Sequence, residues 1–208
     1  GYHFPGSGVM SIVRRDDAAL RVSEWVWTPM DLGHPGYIQM LKIENLAEAD
    51  KTVTVNSLHN VHLGDDVEGV MNGNEAIWSN GSDLVEVGTT TGLGMWFHTT
   101  TPTSSYTCDG AFASPSSYDG RCGTEEEPWL NNDQVGGFEW TVSIPGESTA
   151  WVDVTGLFFS DGDPSGVAAK REAWTEGVAT ENWVNKEGGY WNTFHVTVPR
   201  PASVSDNE

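Results

Sequence analysis

The sequence predicts an all-β protein, an antiparallel β-sandwich with one late helix. Three observations predict it. Apolar and polar residues alternate with period two through most of the chain, as at Phe138, Trp140, Val142 and Ile144 against Glu139, Thr141 and Ser143. Turn signals such as Asn72-Gly73, Asn80-Gly81 and Pro145-Gly146-Glu147 separate these runs at short intervals. One stretch alone, residues 164–183, abandons period two for helical spacing. Repeated short strands with a single helix indicate a sandwich or barrel.

The elements follow in order. Leu20, Val22, Trp25 and Trp27 mark a first strand, with the two tryptophans on one face. Residues 37–44 and 52–58 are strands joined through the short acidic connection 45–50. Residues 76–78, 84–87 and 94–99 are shorter strands, the first two closed by Asn80-Gly81. The strand 138–144 ends at Pro145-Gly146, and 150–159 follows with Ala150, Val152 and Val154 on one face and Trp151 opposite. Asp163 is placed to cap a helix that has Pro164 at its first position. Val167, Trp174 and Val178 form its buried stripe, and Gly188-Gly189 is its stop. Residues 193–198 close the pattern. Residues 1–198 thus form one domain, which includes a loop bracketed by cysteines at 108–122. The Thr/Ser run 99–107 reads as part of the same excursion. The polar, proline-bearing residues 199–208 begin a linker to a domain not present.

Thirty acidic against ten basic residues give a formal net charge of −20. Such a field repels phosphate backbones and anionic head groups, so nucleic acid and membrane are excluded as partners. Neutral sugars remain compatible. No apolar run approaches the roughly 18 residues a spanning helix requires. The two cysteines, Cys108 and Cys122, enclose a Gly/Ser/Pro-rich loop. A disulfide there stabilises by about 3 kcal/mol in the chain-entropy model and implies a periplasmic or secreted protein. The alternative is two unrelated thiols.

Candidate chemistry is sparse. Glycoside hydrolysis needs two carboxylates about 5–10 Å apart, and Asp65, Asp66 and Glu68, or Glu125, Glu126 and Glu127, are read as solvated loops. Asp161 and Asp163 offer oxygen ligands for a structural calcium, although the complete D-x-[DN]-x-[DN]-G loop is missing. No other cofactor is indicated. His59 and His62 fall on opposite faces of a strand and do not share a metal, and a His/Glu pair of the sugar-epimerase kind requires His62 or His98 beside an inward Glu. Tryptophan is in excess, with ten residues. Most must fill the core. Trp129, in the polar loop 128–133 with Asp133, and Trp78, beside the Asn80 turn, are the two that either stack on sugar rings, whose flat C–H faces pack on indole, or pin their loops to the core, and pinning is the favoured role.

The segment LRVSEWVWTPMDLGHPGYIQMLKIENLAEADKTVTVNSLHNVHLG, residues 20–64, runs strand, turn, a strand ending in Asn45, acidic turn and Val/Thr strand. It resembles the amino-terminal β-supersandwich domain that precedes the helical barrel in glucoamylase-like and glucodextranase-like glycoside hydrolases. Phosphorylases of the same architecture have a similar domain. Residues 139–160, the helical stretch after them and Ser205-Asp206-Asn207-Glu208 are similar to the end of such a domain and the start of its connection. The resemblance implies catalytic carboxylates on an (α/α)6 barrel absent from this chain, so it carries no catalytic residue over. It implies a non-catalytic accessory domain that packs on and frames the catalytic barrel of its parent glycoside hydrolase. The alternatives are a free-standing module that binds glucan or oligosaccharide, and a small mutarotase-like sugar epimerase. The cysteine loop and the short chain depart from the family pattern.

Overall fold

A computed structural model of the chain describes residues 2–3, 10–14, 19–59, 61, 63, 75–88, 91–109, 129–132, 134–160 and 163–187. Its strands are β1 (Tyr2–His3), β2 (Met10–Arg14), β3 (Leu20–Trp27), β4 (Gly36–Asn45), β5 (Lys51–Asn56), β6 (Glu75–Asn80), β7 (Asp83–Gly88), β8 (Gly94–His98), β9 (Ser104–Asp109), β10 (Trp129–Asn132), β11 (Gln134–Ile144) and β12 (Thr149–Phe159). The α-helix α1 (Ser165–Thr175) follows them. The strands make a nine-stranded sheet in the order β1-β2-β3-β4-β12-β8-β7-β6-β10 and a three-stranded sheet, β5-β11-β9. Every strand pairing is antiparallel. The predicted all-β sandwich with one late helix is the fold observed.

The period-two pattern sets the layers. Ile43, Ile77, Leu84, Met95, Phe97, Val152 and Val154 of the large sheet meet Phe138, Trp140 and Ile144 of the small one, and this is the main core. The opposite face of the large sheet is also apolar. Trp27, Ile38 and Met40 pack there against Trp174 and Trp183, and Val85, Trp96, Leu157 and Phe159 against Val167. The helical segment is therefore a third layer, and β12, in the middle of the large sheet, is buried on both faces from Val152 to Leu157. Gly156 belongs to this strand by necessity. A Cβ there would lie 2.7 Å from Met95 Cε and 2.8 Å from the Tyr37 ring.

Asn45 joins the two sheets. It ends β4, is buried, and its side-chain amide donates to the carbonyls of Ala49, Ile144 and Pro145 while Oδ1 accepts from the Ala47 N–H. The Asn that closes the strand in the quoted segment is thus the residue that ties the acidic turn to the end of β11.

Four expectations need correction. The run 99–107 is no excursion from the sandwich, because Ser104–Asp109 forms β9 and pairs with β11 from Gln134↔Asp109 to Glu139↔Ser104. Trp129 stands on β10, an edge strand paired with β6, and not in a loop. The helix does not run unbroken to residue 183. It stops at Thr175, Gly177 takes a left-handed φ of 70°, and a 3-10 turn (Thr180–Asn182) and a helical turn at 183–187 follow. Glycine has the freedom that this reversal requires. The turn after β6 has Gly81 and Ser82 at its centre, with Asn80 paired to Asp83, so Asn80 is a strand residue. The Asn72-Gly73 turn, Gly188-Gly189, the strand at 193–198 and the linker at 199–208 lie outside the described residues.

Candidate functional site

Strands β6, β7 and β8 present one face to the main core and the other to α1. Ile77, Leu84 and Phe97 point inward. Alternation sends Trp78, Val85 and Trp96 outward, and the register sets them side by side, Trp78 opposite Val85 and Val85 opposite Trp96. One step along, Asn80, Asp83 and His98 form a second row. The two-residue hairpin makes that row possible. Gly81, at φ 58°, turns the chain so tightly that Asn80 and Asp83 both remain in register.

A cavity of about 270 Å³ lies between this sheet face and the start of α1. Trp78, Asn80, Asp83, Val85 and Trp96 line it from the sheet, Asp163 and Pro164 from the two residues before α1, and Ser165 and Ala168 from the helix itself, so that Pro164 flanks the helix and is not its first residue. Trp96 is 5% exposed and is backed by the His98 ring, stacked 5.2 Å away at 25°. Trp78 is half-buried. His98 Nδ1 lies 2.7 Å from Asp83 Oδ1, so the imidazole fixes the carboxylate's orientation and occupies one of its oxygens. Across the cavity, Asp163 accepts from the Ser165 N–H and from the Ser165 hydroxyl, both at 2.9 Å. Those bonds hold its carboxyl below the ordinary carboxylate value. The cleft thus combines two indoles, an amide and two carboxylates on rigid elements.

A second polar group sits inside the main core. His59 is 5% exposed, with Nδ1 3.1 Å from the Tyr37 hydroxyl and Nε2 3.1 Å from Ser57 Oγ. Its ring stacks on Phe97 at 4.3 Å and meets Phe138 edge-on at 6.0 Å. Burial pushes the imidazole down from 6.5 to about 4, and pushes the Tyr37 phenol above its ordinary value. Ser57 Oγ in turn accepts from the Phe138 N–H. This chain of bonds satisfies polar groups between the sheets.

Of the residues singled out from sequence, Trp78 and Asp163 come together on opposite walls of one cleft. Asp163 serves there as the acceptor at the start of the helix. Among the described residues no three His, Cys, Asp or Glu side chains converge as metal ligands. Asp133 and Asp161 lie outside the described residues, and of Trp129 the backbone alone is described. Cys108 is in β9, whereas Cys122 and hence the proposed disulfide lie outside the described residues. Sequence reasoning set Asn80 beside Trp78 but missed Trp96 and Asp83 as their partners. Alternation puts Asp83 with Val85 in β7 and Trp96 with His98 in β8, but the strand register decides that both pairs share a face with Trp78.

No protein-family model matches the sequence, and no curated protein matches it. Solved structures do. A candidate kojibiose phosphorylase from the human microbiome superposes on 91% of this chain with a TM-score of 0.57 and 12% identity, over 24% of its own length. A candidate aldose 1-epimerase of Escherichia coli K12 matches 73% of this chain and 65% of its own, at TM-score 0.46 and 8% identity. Another from Klebsiella pneumoniae matches 82% of this chain and 54% of its own, at TM-score 0.39 and 9% identity. The fold likeness rests on the phosphorylase, since both epimerase scores fall below 0.5. The chain spans about a quarter of the length of that phosphorylase, and what the two share is the β-sandwich fold.

Proposed function

We propose that this chain is a non-catalytic accessory domain of a larger carbohydrate-active protein, packing on and framing a catalytic helical barrel. The observation that carries the reading is the extent of the phosphorylase match. Nearly the whole of this chain corresponds to a quarter of a protein named for a carbohydrate reaction. The resemblance of residues 20–64 to the sandwich domain of glucoamylase-like and glucodextranase-like hydrolases supports the same reading and the finer assignment to that group.

A second reading, a small sugar epimerase, is favoured by one observation, the His98–Asp83 pair beside the cavity. The chemistry weighs against it. Opening and closing a pyranose needs an acid and a base that reach different atoms of the ring. His98 and Asp83 are bonded to each other, so one orients the other and they do not act from separate positions. His59 is enclosed by Tyr37, Ser57, Phe97 and Phe138.

Both readings are tested on the purified chain. Polarimetry should show mutarotation of freshly dissolved α-D-glucose and α-D-galactose at the spontaneous rate, and disaccharides incubated with or without phosphate should release no sugar. Turnover in either assay that scales with protein concentration and exceeds a mock purification would overturn the non-catalytic assignment.

A further inference from the structure

We infer that the cleft between Trp78 and Trp96 binds a single neutral hexose unit, such as the terminal residue of an oligosaccharide. The inference rests on the proposed reading for carbohydrate as the ligand class. Everything else comes from the cleft. Its volume of about 270 Å³ falls just under the roughly 300 Å³ at which pockets begin to hold drug-sized ligands, which suits one ring and not a chain of rings. Trp78 and Trp96 supply apolar faces for the C–H side of a pyranose. Asn80 offers both donors and an acceptor, and Asp83 retains acceptor capacity beyond the oxygen held by His98. A hydroxyl-rich ring with an apolar face matches this set of groups.

The charge selects for neutral sugars. Asp83 and Asp163 stand on opposite walls, no Lys or Arg lines the cavity, and the chain as a whole carries −20. A phosphorylated or uronic sugar would meet carboxylates from both sides, and Arg171, the cation whose field reaches Asp83, is bonded to Asp153 and Thr155 and is not among the lining residues. The cleft is also preorganised. Its sheet wall is a hairpin in full register, its orienting imidazole is stacked on Trp96, and its helix wall is held by Ser165 on Asp163. Little conformational freedom is lost on binding.

The test is a titration of the uniformly 15N-labelled chain, followed through its indole N–H resonances, with those of Trp78 and Trp96 assigned from Trp78→Phe and Trp96→Phe. The probes are methyl α- and β-D-glucopyranoside, methyl α- and β-D-galactopyranoside, and glucose 6-phosphate. At least one neutral glycoside should shift both resonances saturably, and glucose 6-phosphate should bind about tenfold more weakly or not at all. Trp78→Ala should weaken binding about tenfold, and Asn80→Ala, at an exposed position, should weaken it several-fold without disturbing the fold. Absence of shifts with every neutral glycoside up to about 100 mM overturns the inference, since that exceeds any useful affinity. Binding unchanged in both variants overturns it as well, and preferential binding of the phosphorylated sugar overturns the neutral class. These results concern the cleft alone. The accessory reading fails separately, through turnover by the chain itself.

Discussion

His59 carries the strongest perturbation among the described histidines, and its cause is burial between the two sheets. The consequence for stability has a definite sign. Above pH 6.5 the residue is neutral in both states. Between 6.5 and about 4 the unfolded chain takes up a proton that the folded chain excludes, so stability is lost as pH falls through this window. The loss from this residue amounts to about 3 kcal/mol by pH 4. Urea unfolding of the native chain and of His59→Gln at pH 7.5 and pH 4.5 isolates it, because other groups cancel in the difference. The native chain should lose distinctly more stability than the variant, and equal losses would show that His59 is not held neutral by the core. At this scale the sequence singles out Trp78 together with Asn80, because a tryptophan next to an Asn-Gly turn stands out from core tryptophans. It does not single out Asp83 and Trp96 beside them. Whether Asp83 faces the cleft or the core depends on the hairpin register, and a slip of one residue exchanges the two faces.

The elements differ in how openly the sequence announces them. β4 and β12 were legible nearly to the residue and β11 from Phe138 on, because each buries alternate side chains in the main core and so shows period two, while the start of β11 at 134–137 was not legible. β9 and β10 were not. Ser104-Ser105-Tyr106-Thr107 and Leu130-Asn131-Asn132 lack the apolar alternation that marks a strand with one buried face, which β5, itself an edge strand, does show. The helical layer was legible as a helix but not in its break, since composition alone does not show that Gly177 reverses the chain. Packing does: Trp183 returns to sit edge-on to Trp174 at 5.7 Å. Arg171 locks this layer to the sheet. It is 8% exposed, donates to Thr155 Oγ1 at 3.1 Å and to Asp153 Oδ2 at 3.2 Å, and lies 5.3 Å from the Trp183 ring centroid. Burial lowers its basicity while Asp153 opposes that shift. Arg171→Met should therefore destabilise by about 3–5 kcal/mol, because it strands a buried carboxylate, whereas Arg171→Met with Asp153→Leu should recover most of the loss. Chemical denaturation of the three proteins decides. A single-variant cost under about 1 kcal/mol would mean that the pair does not hold the helix down.

For the molecule as a whole, the fold class was readable but the partition into sheets was not. Hairpin turns specify neighbours close in sequence, such as β6 with β7. The pairing of β12 with β4, from Thr149↔Glu44 to Leu157↔Gly36, joins strands about a hundred residues apart and leaves no local mark. The third layer explains why the sequence carries so many tryptophans. Trp27, Trp96, Trp174 and Trp183 are all buried between the large sheet and the helical segment. With its outer face covered on one side by these helices, the large sheet leaves the Trp78–Trp96 cleft at the margin of that cover, where a ligand can enter. If this sandwich is one part of a larger carbohydrate-active protein, intact-mass analysis of the native protein isolated from its source should find a polypeptide several times heavier than the 22.6 kDa of this chain. A native mass matching this chain would contradict the accessory reading and leave a free-standing sandwich in its place.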